Sequence, residues 1–124
     1  MKRVDVFSAQ ILVQYEREMY LVEAEALKCR SEDFFIMRSR LNYNEWNIVH
    51  RHTGRVMLEG VSTAHYARMF AAIFAALPMP WFSSSHDVIV AAEATLSDEW
   101  RAWRRLVQSI YQPAALKSRL RLAA

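Results

Sequence analysis

Four histidines, one cysteine and a run of three serines are the side chains in this chain that could carry out chemistry. His50 and His52 are two apart, and His65 and His86 lie far from them and from each other. Metal binding needs convergent ligands, usually one helical turn apart or in a tight knuckle. No H-x-x-x-H or C-x-x-C spacing occurs, and Cys29 stands alone. No metal site and no cofactor is therefore expected. Ser83-Ser84-Ser85-His86 places hydroxyls next to an imidazole, the ingredients of nucleophilic catalysis. Adjacent residues do not present nucleophile and base in line, and no glycine elbow surrounds them. Helix capping explains those serines better. With only two glycines the chain cannot build a phosphate loop. The expectation is a protein that binds rather than catalyses.

The binding chemistry in view is cationic. Trp46–Arg51 and Arg55–Gly60, joined by His52-Thr53-Gly54, read as a β-hairpin with a positively charged tip. Gly54 suits the left-handed position that closes a three-residue loop. That register sets Arg51 opposite Arg55, His50 opposite Val56, Ile48 opposite Leu58 and Trp46 opposite Gly60. Like charges directly across a strand pair repel. A solvated tip tolerates this through long side chains; alternatively, the tip holds an anion or an acidic partner surface. Arg38 and Arg40 on the preceding strand extend the same set if they face the same side, which the sequence leaves open. The candidate binding residues are therefore Arg38, Arg40, His50, Arg51, His52 and Arg55, with the tail cations Lys117, Arg119 and Arg121. Trp81 and Phe82, in the proline-stiffened Pro78-Met79-Pro80 connection, either cover the end of a core or anchor a partner.

The elements that position these residues follow from periodicity. Ile11, Tyr15, Met19, Val22, Ala26 and Cys29 lie at helical spacing, and Ser8 can cap a long helix running to about Arg30. Its acids Glu16, Glu18, Glu23 and Glu25 read as a solvated face or as a docking surface for a basic partner. Phe34–Leu41 reads as a strand, with Phe35 and Met37 on one side and Phe34 and Ile36 on the other. In the hairpin, Trp46, Ile48, His50, Val56 and Leu58 form the core face, and Asn47, Val49, Arg51, Arg55, Met57 and Glu59 the wetter one. Ser62 is positioned to cap a helix over Thr63–Leu77, striped by Tyr66, Phe70, Ile73 and Leu77. A short helix over His86–Thr95 follows, then one capped by Ser97, with Trp100, Trp103, Val107, Ile110 and Tyr111 on its apolar side. Pro113 ends it. The expected fold is a single α+β domain over residues 1–113, in the order α-β-β-β-α-α-α. A three-stranded antiparallel meander is packed against helices, and residues 114–124 form a basic tail. Three strands followed by a helix is similar in outline to the DNA-reading modules of some recombinases and to double-stranded RNA-binding domains; no motif assigns the chain to either.

Composition supports this class. At 124 residues with 53% hydrophobic and 12% aromatic content, the chain can bury one core and is not of disordered type. The longest uncharged stretch, Met69–His86, is broken by Pro78 and Pro80, so no membrane span is expected. A lone cysteine and the absence of a signal-like apolar core after Lys2-Arg3 point to the cytoplasm. The formal charge of +3 is carried by the last eleven residues, while residues 5–33 hold three bases and seven acids. An acidic segment, a basic sheet and a basic tail indicate contact with a macromolecule. A protein partner is favoured, self-association is compatible, and nucleic acid is the alternative. By analogy of size, inhibitors and accessory proteins of phages and mobile elements share this style.

Overall fold

The computed structural model describes residues 5–111. Where a long helix was expected, the chain forms two ten-residue strands, β1 (Val6–Tyr15) and β2 (Glu18–Leu27). They pair antiparallel without a break, from Val6↔Leu27 to Tyr15↔Glu18. The expected three-stranded sheet is thus a five-stranded one, and the first helix is absent. Both periodicities are present in this stretch, and the period of two prevails. Phe7, Ala9, Ile11 and Val13 alternate with Ser8, Gln10, Leu12 and Gln14, and the β-branched and aromatic residues fit a pleated surface. The reversal falls on Glu16-Arg17, at φ +48° and +71°. Two consecutive positive φ values make a type I′ turn, whose usual Asn-Gly signature is missing here. That missing signature conceals the hairpin in the sequence.

The sheet continues through β3 (Phe34–Arg38), β4 (Trp46–His50) and β5 (Val56–Val61). All neighbours are antiparallel, in the order β1-β2-β3-β4-β5. Three helices follow: α1 (Ala64–Ala75), α2 (His86–Ala94) and α3 (Asp98–Tyr111). Thr63, rather than Ser62, caps α1, its side chain accepting from the Tyr66 amide. Ser85 caps α2, and the Ser97 hydroxyl accepts from the Trp100 amide at the start of α3. Ile48 pairs with Leu58 as expected, but Trp46 meets Val61 instead of Gly60, and Val56 meets Val49 instead of His50 across a second irregularity after Ile48. An irregularity near Gly60 shifts the register: this glycine sits at φ +73° and donates its N–H to Asn47 Oδ1. At the tip, Gly54 takes φ +74°, as its turn position requires. Arg51, however, donates its amide to Asp33 O and does not face Arg55. The hairpin closes instead through His50 N–H donating to Arg55 O.

Two apolar layers result. Between the sheet and the helices lie Phe34, Ile36, Ile48 and Leu58 against Phe70, Ala71 and Phe74 of α1 and Ile89 of α2. The opposite face of the sheet, expected to be wet, is also covered. Met37 and Val49 pack with Ile11 and Ala26, flanked by Ala9, Val13, Val22, Ala24, Phe35 and Val56. The β1–β2 hairpin therefore curls over the sheet and presents a shallow face rich in alanine and valine. Gln14 N–H donates to Gly54 O at 2.7 Å, tying the outer edge of β1 to the β4–β5 turn. Val49, assigned to the wet face from the sequence, is buried because that face has a roof, whereas Met57 joins the helix-side core and Val56 the roofed face, the reverse of their sequence assignment.

Candidate functional site

The basic residues singled out in the sequence do not meet as one patch. Arg55, at the start of β5, is held by the Glu93 carboxylate on α2. The other oxygen of Glu93 holds Arg104 on α3, so one carboxylate joins three elements. Burial lowers the proton affinity of Arg104, and Glu93 opposes that effect. Arg38 donates Nε to Glu25 Oε2 at 2.8 Å, and its guanidinium lies 4.1 Å from the Tyr43 ring centre and 4.3 Å from that of Trp46. Arg51 is exposed and lies over the Phe35 ring at 4.2 Å. His52 meets Asp33 Oδ1 at 3.2 Å. Arg40 is exposed in the β3–β4 connection. Lys117, Arg119 and Arg121 lie outside the described residues, as do the end of the last helix at Pro113 and the tail.

His50 is an interior residue. Its Nε2 lies 2.6 Å from Trp81 O and its Nδ1 2.7 Å from Thr53 Oγ1. A carbonyl only accepts, so Nε2 carries the proton and Nδ1 accepts from the Thr53 hydroxyl. The Thr53 oxygen in turn accepts from the Arg55 amide. Burial lowers the proton affinity of this imidazole, and the hydrogen bond to the Trp81 carbonyl opposes that effect without overcoming it. Phe34 and Trp81 pack around the ring. The network stitches the β4–β5 turn to the Pro78–Phe82 connection. That connection splits its two aromatics: Trp81 is buried and donates Nε1–H to Phe74 O at 2.8 Å, while Phe82 is 81% exposed. His65 and His86 lie exposed on α1 and α2. Among the described residues, no three His, Cys, Asp or Glu side chains are placed to share a metal ion. No described helix is long and apolar enough to cross a membrane.

The most distinctive surface is the far end of the β1–β2 hairpin, which helical reading of the sequence missed. Ladder parity identifies its free backbone groups. Lys28 N–H donates to Asp5 O, so odd residues of β1 face β2, and even ones face outward, as Gln14 does toward Gly54. In β2 the outward residues are then Met19, Leu21, Glu23, Glu25 and Leu27. β3 pairs only with Ala26 and Leu27. Past the Arg38–Glu25 bridge the outer edge of β2 has no neighbouring strand among the described residues. Large apolar side chains stand on this end: Tyr15 at 60% exposed, Leu21 at 64%, and Met19 and Tyr20 close to one half. Glu16, Glu18 and Glu23 are interspersed, with the Tyr20 hydroxyl donating to Glu18 at 2.6 Å. Apolar residues at every second position, Tyr20, Val22, Ala24 and Ala26, are the sequence signal for this strand, and nothing in the sequence marks its outer edge as open. No protein-family model, curated protein or solved structure matches the chain.

Proposed function

We propose that this chain is a non-catalytic binding protein that engages a protein partner by strand addition along the open edge of β2. One observation carries the reading: among the described residues the stretch from Glu18 to Ala24 has no strand on its outer side, and it carries exposed Met19, Tyr20 and Leu21. Unpaired edges template pairing with another chain, and exposed apolar groups add side-chain specificity. Glu16, Glu18 and Glu23 favour a partner strand with basic and apolar residues. The lone cysteine supports a cytoplasmic setting.

The test is recovery of tagged full-length protein from its host after nuclease digestion. The wild type retains a stoichiometric protein partner, and the Met19→Lys/Leu21→Lys double variant loses it while unfolding at an unchanged midpoint. Retention by the variant, or loss of the complex on nuclease treatment alone, contradicts the reading. Nucleic-acid binding is the second reading. Arg51 and Lys28, which line one shallow depression and form no ion pair among the described residues, favour it. It predicts a steep loss of affinity with salt and abolition by Lys28→Glu/Arg51→Glu.

A further inference from the structure

A second concavity lies between the β2–β3 connection and α1, at the end of the β1–β2 hairpin away from its Glu16-Arg17 turn. Its volume is about 930 Å³, near the upper end of the ~300–1,000 Å³ usual for small-molecule sites. Its floor is the face of α1 formed by Ala71, Ala72, Ala75 and Ala76, whose short side chains leave room above the helix. Lys28, Arg30 and Arg68 stand at the rim. None of the three forms an ion pair among the described residues. Arg68 is anchored by Nε donating to Lys28 O at 2.9 Å, and its terminal N–H groups hold no ion pair among the described residues. Two carboxylates also line the cleft. Asp33 is engaged by His52, which leaves Asp5 against three cations.

An anchored guanidinium has lost part of its side-chain freedom before a ligand arrives, so less is lost on binding. Its planar fork matches a compact oxyanion. Four alanine side chains offer nothing polar to the rest of the ligand. We propose that this cleft binds a small amphiphilic anion, with its anionic head on Arg68, Lys28 and Arg30 and its apolar body along the alanine face of α1. The site is separate from the β2 edge and does not depend on what that edge binds.

Isothermal titration of the full chain with decanoate, decanol and inorganic phosphate tests the assignment. Decanoate should saturate at one per chain, with decanol and phosphate each at least tenfold weaker, because each lacks one half of the recognised chemistry. Arg68→Gln should weaken decanoate about tenfold, which corresponds to about 1.4 kcal/mol. Ala72→Trp, at an exposed position on the cleft floor, should abolish binding by filling the space. Lys28→Gln/Arg30→Gln, on an exposed connection, gives a loss of affinity that does not depend on how α1 tolerates the tryptophan. The proposal is overturned if decanoate does not saturate, if phosphate binds as tightly as decanoate, or if all three variants bind like the wild type. Binding to anionic phospholipid vesicles without a saturable decanoate response also overturns it.

Discussion

Replacing Glu16-Arg17 by Asn-Gly should stabilise the protein. Both residues sit in the left-handed region, at φ +48° and +71°, where a side chain costs roughly 1–2 kcal/mol per residue. Asn tolerates that region and Gly has no penalty there. With Asn keeping part of that penalty, the two positions are worth about 2–3 kcal/mol, and the extra freedom of glycine in the unfolded chain returns about 1 kcal/mol. The net gain expected is about 1–2 kcal/mol. Both side chains are exposed, so little packing is lost. Urea denaturation followed by circular dichroism measures it. With a slope of about 2 kcal/mol per molar, the midpoint should rise by roughly 0.5–1 M at unchanged slope. If residues 8–30 were a helix, glycine in its interior would cost about 1 kcal/mol and the midpoint would fall. A lower midpoint therefore refutes the hairpin, and an unchanged one refutes the strain assigned to its turn.

Two further substitutions probe the interior. Glu93→Gln strands the half-buried Arg104 and frees Arg55, and should cost about 3 kcal/mol in denaturant unfolding, whereas Glu93→Leu/Arg104→Leu should recover most of that loss. His50 gives a pH signature whose sign is set by burial. The unfolded imidazole takes up a proton below its ordinary value of 6.5, while the folded one resists. The unfolded state then binds more protons as pH falls from 6.5 toward the lowered folded value, so stability is lost across that window and levels off below it. The urea midpoint should drop as pH falls through 6.5 toward the lowered folded value, and His50→Gln should flatten that drop. An equal drop in the variant would remove His50 from the account.

The order of strands and helices between Phe34 and Tyr111 was legible in the sequence, though not every strand face or register within it. Turn glycine, alternating strand faces and serine caps all pointed to β3, β4, β5 and the three helices, and Gly54 and the Ile48↔Leu58 pair fell where expected. Trp46 slipped by one residue because Gly60 adopts a positive φ that the alternation does not announce. The β1–β2 region was misread because its apolar residues satisfy two periods at once and its turn carries no glycine or asparagine. What decided between the periods is tertiary: the second face of the sheet, with Met37 and Val49, needs a cover, and a flat hairpin supplies one. The arginines were visible, but not their partners. Glu93 lies 38 residues from Arg55, and no local pattern links them. The open edge of β2 became visible only once the hairpin was known.

Residue-resolved amide exchange tests the central claim, a two-stranded hairpin with a free outer edge. The ladder predicts slow exchange at Phe7, Ala9, Ile11 and Val13 and at Tyr20, Val22, Ala24 and Ala26. Fast exchange is expected at Ser8 and Gln10 and at Met19, Leu21 and Glu23 between them. Contiguous protection from residue 8 to residue 30 would contradict the account, as would protection of Met19, Leu21 and Glu23 in the isolated chain.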